Sequence, residues 1–223
     1  VPHFILSLCC RNNADPFDQY QDPNSKEQLM ATPKRKAKKT SSKRSPRTRQ
    51  SPRRSGAQAV QQISPCLWFD SQAEEAAKFY VSVFKRGKIV TINRYPAVGQ
   101  EIHRRPPGSV MTVDFVINGL HFTALNGGPI FKFNEAVSLQ VLCKTQKEID
   151  YYWEKLGDGG DPNARQCGWL KDKFGLSWQV APTGMAQMFK NPGSKNTERA
   201  FAAMMQMKKL DIGALNAAYK GKG

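Results

Sequence analysis

A pattern that occurs twice limits this chain to a few architectures. Ser71-x-x-Glu74 and Thr145-x-x-Glu148 lie 74 residues apart. Each has the form of a capping box, in which a hydroxyl and a carboxylate satisfy free amides at a helix start. Each follows a short strand-like run, QISPCLWF at 62–69 and residues 136–143. Behind the first box Ala73, Ala76, Ala77, Tyr80 and Phe84 recur at helical spacing, predicting a helix that ends near Lys85. Behind the second, Ile149, Tyr152, Trp153 and Leu156 form a similar stripe.

The strands that follow are set by their turn signals. Residues 88–95, 109–117 and 121–125 read as strands, with turns at Pro106-Pro107-Gly108, Asn118-Gly119 and Asn126-Gly127-Gly128. The second half predicts a polar strand near Ala164, then strands at 167–170 and 176–181. At the 74-residue offset Ser64 falls on Ser138 and Phe79 on Trp153. The expected class is therefore α+β, with two βαβββ modules in tandem over residues 62–182. Residues 183–223 read as helices at 183–189, 197–208 and 211–219. Their apolar faces are too small to stand alone, so they are expected to pack on the domain or on a second subunit.

Charge sets the remaining segments apart. The net charge is +16, yet residues 30–56 alone hold eleven Lys and Arg and no acid. Between Ala31 and Gly56 there is no Leu, Ile, Val or aromatic residue. Such a stretch cannot bury enough apolar surface to offset the ordering of its backbone, so 30–61 is expected to be a disordered basic arm. Lys34, Arg35, Lys36, Lys38, Lys39, Arg53 and Arg54 are its candidate nucleic-acid contacts, phosphate-directed and non-specific. No aromatic interleaves them, so base stacking is not expected. Residues 1–29 carry a balance of −2 and begin with Val1, while Met30 stands directly before the arm. Translation is expected to start at Met30, which makes 1–29 a doubtful segment.

No apolar run approaches the roughly 18 residues of a membrane span, and the run 4–10 lacks the basic flank of a secretory signal. The five cysteines (Cys9, Cys10, Cys66, Cys143 and Cys167) are odd in number and scattered, as in a reducing compartment. A cytoplasmic protein without membrane partners is the expectation.

The tandem modules are similar to the vicinal-oxygen-chelate fold of glyoxalase I, bleomycin-resistance proteins and extradiol dioxygenases. Within that superfamily the chain resembles the PhnB-like branch, often labelled 3-demethylubiquinone methyltransferase-like. The resemblance rests on PCLWFD (65–70) leading into EEAAKFY (74–80), LNGGP (125–129), YYWEKL (151–156) and CGWLKDKFGLSWQVAP (167–182). Methyl transfer finds no support, because no Gly-rich strand-to-helix turn of the dinucleotide type is present.

The superfamily's enzymes place a divalent metal in a cup, and the resemblance carries those positions to Ser64, Asn126, Ser138 and Gln179. None is His, Asp or Glu, and neutral hydroxyls and amides supply too little charge to hold a dehydrated divalent ion. No metal and no cofactor is therefore expected. The same cup is expected to bind a small molecule, lined by Ser64, Trp68, Arg94, Asn126, Ser138, Gln140 and Gln179. Inward polar groups must pair with each other, with water or with a ligand. Trp68, Trp169 or Trp178 would stack on a planar ligand. The resemblance also implies a homodimer, since related cups are completed by two modules.

Other candidates read more plainly. Glu101 and His103 would share a face if extended, but their Arg- and Pro-rich surroundings favour a solvated loop. His121 reads as an edge-strand residue. Cys66 and Cys143 read as small strand hydrophobes, and Cys167 beside Lys171 as a less favoured reactive thiol. The leading functional expectation is a metal-independent small-molecule binding protein. The alternatives are an enzyme with an undefined acid–base set, such as Cys167 or Glu135, and a nucleic-acid-associated protein acting through its arm.

Overall fold

The computed structural model describes residues 63–222. The basic arm, its seven candidate phosphate contacts and the segment 1–29 lie outside the described residues. The first module starts with strand β1 (Cys66–Phe69), which turns into helix α1 (Ala73–Val83). Ala73, Ala76, Ala77, Tyr80 and Val83 form its buried stripe. Three alanines let the helix lie close to the sheet beneath. Strands β2 (Lys88–Arg94), β3 (Val110–Ile117) and β4 (Leu120–Asn126) complete the module in the order β1-β4-β3-β2. β1 runs parallel to β4, and the other pairs are antiparallel. Asn118 (φ 49°) and Gly119 (φ 86°) both take the left-handed conformation that a tight two-residue hairpin requires. Between β2 and β3, helix α2 (Gln100–His103) forms a single exposed turn.

The second module repeats this order with one strand fewer. β5 (Ser138–Cys143), helix α3 (Gln146–Gly157), β6 (Trp169–Lys171) and β7 (Ser177–Pro182) give a sheet ordered β5-β7-β6, with β5 parallel to β7. The strand expected near Ala164 is a 3-10 turn, Pro162–Ala164. Pro162 has no amide to give to a ladder, and Asp161 instead accepts the Asn163 N–H at 2.8 Å.

The two capping boxes also part company. Thr145 and Glu148 form the reciprocal box as read. Ser71 and Glu74 do not: the cap residue is Gln72, whose side chain makes no bond to the helix amides, so Glu74 stands one position too early. The free Ala73 amide is taken by Asn126 Oδ1 from β4 at 2.8 Å. Glu74 pairs with Lys78 one turn on, at 2.6 Å.

The helix-facing sides of both sheets share one core, from Leu67, Phe115 and Phe122 to Ile149, Trp178 and Val180. Asp172 sits inside it, only 2% exposed. It accepts hydrogen bonds from Tyr80 Oη (2.9 Å), Trp178 Nε1 (2.8 Å) and the amides of Phe174 (2.9 Å) and Leu176 (3.1 Å). One carboxylate thus joins a helix of the first module to the sheet of the second. Burial raises its pKa, with the four donors working against the rise.

Helices α4 (Met185–Met188), α5 (Lys195–Met205) and α6 (Ile212–Tyr219) pack on the domain. A second cluster, including Met185, Phe189, Ala200, Met204, Leu210 and Leu215, closes over Cys167 and Ala181. The amides of Cys167 and Gly168 donate to the carbonyls of Met207 and Lys208, each at 2.8 Å. No helix among the described residues is long and apolar enough to cross a membrane.

Candidate functional site

Side chains alternate across a strand, so pairing register fixes which residues share the sheet faces turned away from α1 and α3. In the second sheet Trp169, Gln179 and Gln140 stand in one cross-strand row, and Lys171, Ser177 and Ser138 in the next. Gln140 Nε2 donates to Gln179 Oε1 at 3.1 Å, and Gln179 Nε2 donates to Ser138 Oγ at 2.7 Å. This line of neutral groups runs from exposed Gln140 to buried Gln179. Beside it Ser177 Oγ is buried with no partner among the described residues. An unmade bond at such a hydroxyl costs about 1–3 kcal/mol, which a ligand or water would relieve. Lys171 bonds Glu135 and holds its carboxyl below the usual carboxylate range, so Glu135 is an ion-pair partner rather than a poised base.

The equivalent face of the first sheet is more open. Cys66 and Trp68 share it with Thr123, Leu125, Thr112, Asp114, Thr91 and Asn93 by register. Its polar groups pair locally: Thr123 Oγ1 donates to Asp114 Oδ1 at 2.7 Å, and Asn93 Nδ2 to Thr112 Oγ1 at 3.0 Å. Desolvation and then the charge of Asp114 push the Cys66 thiol up, away from a nucleophilic thiolate.

Of the seven expected cup residues, Ser138, Gln140 and Gln179 are brought into one network. Ser64 is exposed ahead of β1, and Arg94 is exposed with its guanidinium donating to the Gly108 carbonyl at 2.9 Å. Trp68 lies on the open face but is turned onto the loop after β4, its indole N–H donating to the Gly128 carbonyl at 2.8 Å. Asn126 corrects the reading. It pairs with Phe69 in register and shares the helix-facing side with Phe122 and Ala124. There its Oδ1 caps α1 and its Nδ2 donates to the Val110 carbonyl at 3.0 Å. Trp178 is likewise core, bonded to Asp172, and Trp169 is 5% exposed, so neither offers a stacking face.

The other candidates resolve locally. His103 packs against Tyr95 with centroids 4.6 Å apart and the rings tilted by 31°, and its Nδ1 accepts the Arg105 amide at 3.1 Å. Because Glu101 and His103 lie in a helical turn, they do not share the face an extended segment would give them. Cys167 is sealed under α5, its Sγ 3.5 Å from the Met204 carbonyl. What sequence reasoning missed is Asp172 with Tyr80. A single acid in KDKFGLSW, flanked by core residues, was the available signal.

The positions to which the resemblance carries a metal's ligands do not fit a divalent ion. Asn126 faces away, while Ser138 and Gln179 are bonded to each other. Among the described residues no group of three or more His, Cys, Asp or Glu is placed to hold a metal.

The family model for 3-demethylubiquinone-9 3-methyltransferase matches residues 61–181. A PhnB protein from Bacillus cereus is 36% identical, with 55% of this chain and 100% of that chain covered at a TM-score of 0.47. A protein from Staphylococcus aureus is 30% identical, covering 52% of this chain and 92% of that one at a TM-score of 0.23. A lactoylglutathione lyase from Agrobacterium tumefaciens is 16% identical over 56% of this chain and 94% of its own, with a TM-score of 0.30. No curated protein matches. With over half its length matched by the family model, this chain belongs to the PhnB-like 3-demethylubiquinone-9 3-methyltransferase family.

Proposed function

We propose that the chain is a metal-independent small-molecule binding protein whose site is the neutral face of the second sheet. The observation that carries this reading is the line Gln140–Gln179–Ser138, ending beside the unpartnered Ser177 hydroxyl. Amides and hydroxyls both donate and accept, so they suit an uncharged, oxygen- or amide-bearing ligand better than an ion. Benzamide, nicotinamide and catechol serve as probes in a thermal-shift titration of the full chain. At least one is expected to raise the melting temperature through mass action, and Gln179→Leu is expected to blunt that rise. A rise that survives Gln179→Leu unchanged would remove the site.

The exposed apolar side chains Val90 and Ile92 on edge strand β2, with Val137 and Leu142 at β5, support pairing of two copies. Analytical ultracentrifugation tests it, and a monomer at all concentrations would refute it. The buried free thiols of Cys143 and Cys167 support a reducing, cytoplasmic setting. A second reading is favoured by the eleven cations of residues 30–56: the arm contacts nucleic-acid phosphates without sequence preference. Equal binding of a DNA duplex at low salt by full-length and arm-deleted chains would refute that role.

A further inference from the structure

A separate crevice of about 330 Å³ opens between the end of β1, the loop after β4 and the β6–β7 turn. Its walls include Trp68, Phe131, Phe133 and Phe174, with Lys132 and Lys171 beside them. None of the Gln140–Gln179–Ser138 residues lines it. We propose that this crevice binds a planar aromatic carboxylate of one or two rings, with the ring against Trp68 and Phe131 and the carboxylate on Lys132.

Three observations support the assignment. First, Trp68 is fixed in place. Its indole N–H is tied to the Gly128 carbonyl at 2.8 Å, and its ring lies so close over Gly127 that any Cβ there would overlap it. The LNGGP run therefore builds a seat for one indole. Phe131 meets that indole edge-on, at 4.9 Å between centroids and 76° between planes, and is itself 62% exposed. Phe69 extends the aromatic wall to Phe133 and Phe174, at 5.2 and 6.1 Å. Rigid aromatic walls bind flat rings with little ordering loss.

Second, the charges select the sign of the ligand. Asp70, the one acid on the wall, is occupied by Arg105, whose Nη2 donates to its carboxylate at 3.1 Å and its carbonyl at 2.7 Å. Lys171 is neutralised by Glu135. Lys132 is exposed and has no carboxylate partner among the described residues. An aromatic cage with acidic walls would favour an ammonium ligand through its ring faces. Here the uncompensated charge is positive, which favours a carboxylate and disfavours the chain's own basic arm as occupant. Third, the volume lies at the low end of ligand pockets, which span roughly 300–1,000 Å³, and matches one or two rings.

Isothermal titration calorimetry of the full chain with 2-naphthoate, and with its neutral analogue 2-naphthamide, tests the proposal. Naphthoate is expected to bind the wild type more tightly than naphthamide. Lys132→Gln, an exposed substitution, is expected to weaken naphthoate about tenfold and to erase its advantage over the amide. Gln179→Leu is expected to leave naphthoate binding unchanged, which separates this crevice from the neutral face. The proposal is overturned by no naphthoate binding, by equal affinity for the amide in the wild type, or by full affinity in Lys132→Gln. Loss of naphthoate binding in Gln179→Leu alone would place the ligand on the other face and also overturn it.

Discussion

Replacing Asp172 by Asn should weaken the fold at the joint between its two modules. The carboxylate divides its bonds cleanly: Oδ1 accepts from the Phe174 and Leu176 amides, and Oδ2 from Tyr80 Oη and Trp178 Nε1. An asparagine oxygen can keep the backbone pair, but its NH2 then faces two donors. The Tyr80 hydroxyl can rotate and accept, whereas the indole N–H cannot. Two charge-assisted bonds, about 1.5–3 kcal/mol each, are exchanged for one neutral bond and one orphaned donor. Removing a buried charge returns part of that loss. The net destabilisation should be about 2–4 kcal/mol, read from urea unfolding at pH 7 by circular dichroism. In a Trp178→Phe background the orphaned donor is gone, so the same change should cost about 1–2 kcal/mol less. A loss below about 0.5 kcal/mol, or an equal loss in both backgrounds, would refute this account of the carboxylate.

Three further outcomes can be checked on the same chain. Asn126→Ala should destabilise by about 1–2 kcal/mol through loss of the α1 cap, while leaving probe binding at the neutral face intact; altered binding would put Asn126 back in the cup. Burial pushes the Cys143 thiol up to about 12 and the Tyr80 hydroxyl well above its ordinary value. Both groups are neutral in the fold while the unfolded chain ionises, so their stabilisation is complete below pH 9.0, the thiol's ordinary value, and is lost as pH rises toward 12. The urea midpoint should fall across that window, and less so in Cys143→Ala; an unchanged slope would contradict it. Met204→Ala, fully buried between α5 and the domain, should cost about 2–5 kcal/mol, and a loss under 1 kcal/mol would mean that the C-terminal helices pack loosely.

Local signals carried much of the architecture. Asn118-Gly119 marked the hairpin because few other pairs take two left-handed conformations in succession. Thr145 and Glu148 marked α3 because the box is closed within four residues. The start of α1 was misplaced for the converse reason: its cap comes from Asn126, 53 residues away from the amide it satisfies. The missing fourth strand turns on Pro162, which has no amide to give to a ladder and opens a 3-10 turn instead. Asn126 and Trp178 could have been placed correctly by alternation alone. Phe122 and Ala124 put Asn126 on the core side, and Val180 does the same for Trp178. The metal position that the resemblance implies for Asn126 runs against that parity. The Trp68 crevice had no sequence signal, since its walls come from a strand end, a loop and a turn.

The most direct test of the central claim is a probe titration run with and without chelator. Thermal-shift curves for benzamide, nicotinamide and catechol are recorded on the full chain in EDTA, and again in excess Zn²⁺ or Mn²⁺. A ligand-induced rise of equal size is expected in EDTA and in metal, blunted by Gln179→Leu. A rise that appears only with the divalent ion, or no rise with any probe, would contradict it.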